Sequence, residues 1–272
     1  MSSADFYISV SNMINEQSSP LQSQPIQLQL IPDQRLEELF LAGLHFGYSK
    51  TRRHPRMKPY LAGLKSNVEV FNLEKVLVKL NTAEKLFEEL GQKNSMVLWV
   101  GTKPQAAPAI QAAAEILRHP FVHKRWLGGT LTNFTAIHKR VQHGIDLKRE
   151  REEGRLEKYT KQERVAINKT LERFDHAFFG LELLTRLPEA LVIIDPKEES
   201  TALREAAQFG ILTVALINSD IDPLSVTHPI PGNDNAPASI RYIIEALRGA
   251  YEKGTRNRAN PHDQPPANKT TS

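Results

Sequence analysis

Three groups of residues in this chain have the types and spacing for chemistry on phosphate. The first is Gly101-Thr102-Lys103, directly after the apolar run Met96-Val-Leu-Trp-Val100. Amides at the start of a helix and a nearby lysine can cradle a phosphate. The string matches neither G-x-G-x-x-G nor G-x-x-x-x-G-K-[ST], so it lacks both nucleotide signatures. The second group is acidic. Asp195, Asp220 and Asp222 follow apolar runs, where ligands of open α/β sheets bind. With His45 they could hold a divalent ion; the alternative is that they cap helices and turns. The third group is basic. Leu39 to Val68 contains six Lys/Arg and no acid, and residues 116–145 contain five Lys/Arg, four His and no acid. Acid-free cationic stretches of this length suit a phosphate-rich surface. Lys50, Arg52, Arg53, Arg56 and Lys58, with Lys103, Lys124, Arg125, Lys139 and Arg140, are the expected phosphate ligands. Tyr48 and Tyr60 are placed to stack on a base. Trp126 reads either as a stacking platform or as a core anchor for its loop. Gly128-Gly129 permits a sharp turn or the close approach of a phosphate-rich surface.

A catalytic constellation does not accompany these groups. The nine His show no H-E-x-x-H spacing, and no G-x-S-x-G elbow occurs. The rival reading is an enzyme that holds Mg²⁺ on Asp195, Asp220 and Asp222 beside a phosphorylated substrate. Against it stands the spread of basic residues beyond the strand ends. A fold that hosts enzymes does not itself license an activity. The expectation is therefore a non-enzyme with no cofactor, no membrane and no small-molecule substrate.

Composition sets the outer bounds. A chain of 272 residues, 40% hydrophobic and 24% charged, can bury one good core with a smaller appendage. The net charge of +4 conceals the asymmetry just described. Cysteine is absent, which excludes disulfides, thiolate zinc sites and a cysteine nucleophile. No apolar run approaches the length of a membrane helix. Residues 1–34 hold three acids and no Lys or Arg, unlike a secretory signal or a transit peptide. These features point to a cytoplasmic protein.

The elements that must position these residues follow from hydrophobic period. Residues 1–33, rich in Ser, Gln, Asn and Pro, read as a loosely ordered extension, with Ile26-Gln-Leu-Gln-Leu30 as a possible edge strand. A helix follows from Asp33 through Leu44. The arm from His45 to Tyr60 reads as stiff and non-helical because of Pro55 and Pro59. Tyr60–Leu64 and Val68–Asn72 form a hairpin with Ser66-Asn67 in its turn. A helix spans Leu73 to Leu90 and stops at Gly91. Short apolar strands, Met96–Val100, Ala190–Ile194 and Leu212–Ile217, alternate with helices near Ala106–Leu117, Thr201–Phe209 and Ile240–Tyr251. Such alternation implies a parallel, doubly wound α/β sheet. The α/β domain spans 34–130 and 186–252, and a polar tail covers 253–272. Residues 131–185 form an insertion. Between 138 and 173 it carries eleven Lys/Arg and seven Asp/Glu. Beneath that charge run two apolar rows: Leu131, Phe134, Ile137, Val141, Ile145, then Ile167, Leu171, Phe174, Phe178, Leu181. The spacing fits an antiparallel coiled-coil hairpin turning near Gly154.

Several strings together resemble the bacterial and organellar small-subunit ribosomal protein S2 family. They are Ala42-Gly-Leu-His-Phe-Gly47, Pro55-Arg-Met-Lys-Pro-Tyr60, Phe71-Asn-Leu-Glu-Lys75, Val100-Gly-Thr-Lys103, Arg125-Trp-Leu-Gly-Gly-Thr-Leu-Thr-Asn133, Leu187-Pro-Glu-Ala190, Ile194-Asp195 and Ile230-Pro-Gly-Asn-Asp234. The chain departs from the family pattern at Tyr48, at His54, in the Phe178–Leu184 stretch and in its longer N-terminal extension. The resemblance implies a flavodoxin-like α/β domain with an inserted helical hairpin. It also implies a structural role: binding small-subunit rRNA and helping to recruit the large mRNA-binding small-subunit protein.

Overall fold

A computed structural model describes residues 34–158 and 160–259. The alternating Ile26–Leu30 segment, the extension around it and residues 260–272 lie outside the described residues. The first helix among the described residues, α1 (Gln34–Leu41), buries Leu39. It leads into a three-stranded antiparallel sheet of β1 (Phe46–Ser49), β2 (Leu61–Lys65) and β3 (Val68–Phe71), in the order β1-β3-β2. The β2–β3 hairpin turns on Ser66 and Asn67, both left-handed at φ 49° and 65°, as a two-residue type I′ turn requires. The basic arm lies between β1 and β2. It is not wholly extended: Lys50–Arg52 and Pro55–Tyr60 are short 3₁₀ turns. Pro55 opens the second of these, where its fixed φ suits a helical start and its missing N–H costs nothing.

The main sheet has five strands: β4 (Val97–Val100), β5 (Phe121–Val122), β6 (Ala190–Ile194), β7 (Leu212–Ile217) and β8 (His228–Pro231). Their order is β5-β4-β6-β7-β8 and every pair is parallel. Counted within this sheet the order is 2-1-3-4-5, the doubly wound order of flavodoxin-like folds. Helix α3 (Ala107–Leu117) links β4 to β5, and α6 (Ser200–Gln208) links β6 to β7. These links run in opposite directions across the sheet, so right-handed crossovers place the two helices on opposite faces. The central strands β4 and β6 are buried along their whole length, which is why their sequences are unbroken apolar runs.

Helix α2 (Leu73–Lys93) is capped by Asn72, whose side chain accepts from the Lys75 amide. It continues past Gly91 and ends at Asn94 in the left-handed conformation. Gly91 serves packing instead. A Cβ there would lie 2.1 Å from the Tyr251 carbonyl oxygen, and a Cβ on Gly254 would lie 2.0 Å from that of Glu88. The two glycines let α2 and the last helix, α7 (Pro237–Ala259), meet backbone to backbone. Helix α7 therefore runs beyond Tyr251, and the tail expected from Lys253 is helical through Ala259.

The insertion contains two helices, α4 (Phe134–Glu152) and α5 (Lys161–Phe178), separated by Gly154 at φ 72° and a 3₁₀ turn over Arg155–Lys158. A capping box between Thr160 and Glu163 starts α5. Ile137, Val141, Leu171 and Phe174 are buried, whereas Ile167 is half-buried and Val165 exposed. A Cβ on Gly144 would fall within 2.1 Å of the Phe174 ring, so this glycine makes room for an aromatic between the helices.

Candidate nucleic-acid interface

Backbone strain and hydrogen bonding fix the loop that carries Lys124 and Arg125. The loop leaves β5, passes Trp126, and turns through Gly129 at φ 90° into α4. One carboxylate organises it. Glu205 on α6 accepts from the Trp126 indole N–H at 3.0 Å, the amides of Gly129 at 2.8 Å, Leu131 at 2.9 Å and Thr132 at 3.2 Å, and the Thr132 hydroxyl at 3.3 Å. Burial alone would raise the Glu205 pKa; the Trp126, Gly129, Leu131 and Thr132 donors outweigh it and hold the group below its ordinary value. Trp126 is 8% exposed with its ring nitrogen committed, so it is the core anchor of the two readings. Outside this knot Lys124 and Arg125 are exposed, and among the described residues neither makes an ion pair. With His123, His176 and Phe179 they line a shallow cleft at the base of α5. Lys139 and Arg140 are exposed on α4.

The arm after β1 is tied down at both ends. Ser219, fully buried after β7, accepts the Tyr48 amide on its hydroxyl at 2.9 Å and the His54 amide on its carbonyl at 2.8 Å. Arg53 reaches Glu69, 1% exposed, at 3.0 Å, and Arg56 reaches Asp222 at 2.5 Å. Lys50, Arg52 and Lys58 remain exposed without an ion pair among the described residues; Arg52 lies 5.4 Å from the centre of the Tyr48 ring. Arg53 and Arg56 thus each commit one guanidinium nitrogen to a carboxylate and anchor the arm.

Lys103 departs furthest from its expected role. It lies in the crevice between β4 and β6, where the strand order reverses and doubly wound folds bind ligands. Its ammonium sits 2.6 Å from Asp195 and 2.9 Å from Asp234, with the side chain only 14% exposed. Burial disfavours its charge, but the bonds to Asp195 and Asp234 dominate and raise its pKa strongly. Beside it, Thr102 donates its amide and hydroxyl to buried Glu199 at 2.9 and 2.5 Å. The Gly101-Thr102-Lys103 turn is therefore occupied by the chain's own carboxylates.

The metal candidates are not brought together. His45 is buried between the rings of Phe40, at 4.4 Å, and Phe46, at 3.9 Å. Burial, with Lys65 nearby, lowers its pKa. Asp195 holds Lys103, Asp220 holds Lys197 at 2.8 Å, and Asp222 holds Arg56. No group of three His, Asp or Glu among the described residues is arranged to bind a metal ion. Asp220 and Asp222 are each paired with a cation and Asp195 shares Lys103 with Asp234, so the three are not left free for a divalent cation.

A family model described as ribosomal protein S2 matches residues 39–254. The chain belongs to the ribosomal protein S2 family. Relatives named small ribosomal subunit protein uS2 agree. That of Mesoplasma florum is 37% identical over 225 residues, covering 83% of this chain and 85% of the relative. That of Dictyoglomus thermophilum is 37% identical over 219 residues, covering 80% and 89%. That of Rhodopirellula baltica is 36% identical over 232 residues, covering 84% and 89%. Ribosomal protein S2 is a structural, non-enzymatic family, which fits a ligand crevice filled from within. No helix among the described residues is long and apolar enough to cross a membrane. Within the S2 match, the arm and the Arg125–Asn133 loop carry Lys50, Arg52, Lys58 and Arg125, which make no ion pair among the described residues, while Asp234 of the Ile230–Asp234 string bonds Lys103 in the crevice.

Proposed function

We propose that this chain is a structural constituent of the small ribosomal subunit in the cytoplasm, binding small-subunit rRNA through its basic loops and its inserted helices. The observation that carries this reading is the pair of acid-free segments whose tips present unpaired cations on a rigid base. Lys50, Arg52, Lys58, Lys124, Arg125, Lys139 and Arg140 meet phosphates; Arg53, Arg56 and Lys103 hold the frame that presents them. Contacts of this kind fix position and carry little sequence information, so selectivity comes from the shape of the folded RNA. Helices α4 and α5 form an antiparallel coiled-coil hairpin that reaches a second RNA helix or a neighbouring protein. Family membership supports a further task, helping to recruit the large mRNA-binding small-subunit protein.

Sedimenting a lysate through a sucrose gradient and probing for the chain tests the assignment. It is expected to travel with small subunits. Recovery at the top of the gradient would instead favour a nucleic-acid-binding protein that works outside the ribosome. With purified protein and transcribed small-subunit rRNA, affinity should fall steeply as salt rises. An isotherm unchanged by salt would remove the electrostatic basis of the proposal.

A further inference from the structure

We infer that Lys103 is a positioning residue for the basic arm, acting through a buried relay rather than by touching RNA. This inference rests on the RNA-binding reading and assigns a role inside it. The relay is continuous. Lys103 bonds Asp234 at 2.9 Å, and the other oxygen of Asp234 accepts from the Asn218 side-chain amide at 2.6 Å. The Asn218 side-chain oxygen accepts the Ser219 amide at 2.7 Å. Ser219 then takes the Tyr48 amide on its hydroxyl and the His54 amide on its carbonyl, bracketing the segment that carries Lys50 and Arg52. A second branch runs from Lys103 to the Asn235 side-chain oxygen at 3.2 Å, which also accepts the Tyr48 hydroxyl at 3.3 Å.

On the first branch every member between Lys103 and the arm is buried: Asp234, Ser219 and Asn218 are at most 1% exposed. In a network this buried a lost partner leaves its neighbours unsatisfied, so removing one member disturbs those bonded to it. Burial pushes the Asp234 carboxyl up against the pull of Asn218 and Lys103. Without the lysine, the geometry that Asp234 imposes on Asn218 is no longer enforced. The consequence surfaces at Tyr48 and His54, where the arm is hung.

The salt dependence of binding distinguishes this role from a direct contact. Each phosphate contact contributes about 0.7–0.9 to the slope of log affinity against log salt. If Lys103 itself met a phosphate, Lys103→Gln would reduce the slope by about one contact. If it positions the arm, the slope falls by about three contacts, those of Lys50, Arg52 and Lys58. The triple variant Lys50→Gln/Arg52→Gln/Lys58→Gln should show that same reduction. Adding Lys103→Gln to the triple should then change the slope no further. Ser219→Ala, which keeps the lysine and deletes only the acceptor for Tyr48, should reproduce part of the loss. Amide exchange in residues 48–58 should quicken in both Lys103→Gln and Ser219→Ala. Ile244→Val serves as a control that weakens the core without touching the relay, and it should leave the slope intact. The proposal is overturned if Lys103→Gln removes one further contact from the triple variant, or if it leaves both slope and exchange unchanged. A flat wild-type slope would count against RNA binding itself, a separate failure.

Discussion

In the crevice between β4 and β6 Lys103 is paired with two carboxylates; on the arm between Lys50 and Lys58 three of the five cations have no ion pair among the described residues. The two regions draw on the same residue types and are joined through Ser219. What separates them is water. In the crevice, Lys103 must be neutralised because an unpaired buried charge is costly. On the arm, solvent stabilises Lys50, Arg52 and Lys58 until a polyanion replaces it. Cationic character in sequence therefore says little about availability; burial and the nearest carboxylate decide it.

The sharpest way to break this contrast is to exchange stability readouts between the regions. Lys103→Met leaves Asp195 and Asp234 buried without a cation, and urea unfolding should register a loss of about 3–5 kcal/mol. Next comes Glu205→Ala, which strands the indole and amide donors of the Trp126 loop. Its expected cost is about 2–3 kcal/mol, with Trp126 fluorescence changing before global unfolding. A near-native midpoint for either variant would mean that water enters these sites freely.

Acid probes the same intolerance of buried charge. His119 is buried, accepts the Trp99 indole N–H at 3.4 Å, and has its pKa pushed down by burial to about 4 from 6.5. Above that ordinary value both folded and unfolded chains are neutral at this position, so His119 exerts no pH effect. As pH falls from 6.5 towards 4, the unfolded chain takes a proton that the folded chain refuses. Stability should drop by about 1.4 kcal/mol per pH unit over that window and then level off. His119→Gln should flatten this limb in denaturant titrations, and an unchanged limb would contradict the assignment. Glu205 acts lower. Its depressed pKa gives stability that is present above the usual carboxylate value of 4.5 and lost as pH falls through the folded value. The smallest effect belongs to the arm. Lys58→Gln should shift stability by no more than about 0.5 kcal/mol, while lowering the salt slope of RNA binding by about one contact.

Much of this architecture was legible beforehand. The runs Ala190–Ile194 and Leu212–Ile217 are strands with those limits, because a doubly buried parallel strand leaves a continuous apolar signature. The Ser66-Asn67 turn was legible because few residues accept two successive left-handed positions. Three strands escaped notice: Phe46–Ser49 lies inside the arm that read as a loop, and two others were hidden for opposite reasons. Phe121–Val122 is too short to show a period. His228–Pro231 contains two prolines and is tolerated only because β8 lies at the sheet edge. Glu205 also went unseen. Its loop partners lie 73 to 79 residues away, beyond any local pattern. A trace was there: Glu205 shares the inward face of its helix with Ala202 and Ala206, where a carboxylate needs a buried reason. Gly91 was read as a stop because glycine ends many helices; close approach of a second helix explains it instead.

The reciprocal seating of Gly91 and Gly254 bears on how the chain is made. Synthesis delivers α2 well before α7, yet each packs on the other's bare backbone. The apolar face of α2, with Val76, Leu80 and Phe87, must wait for residues 237–259 to emerge before α7 can cover it. Nascent chains halted before Gly254 should therefore expose that face to chaperones, and completion of the last helix should release them.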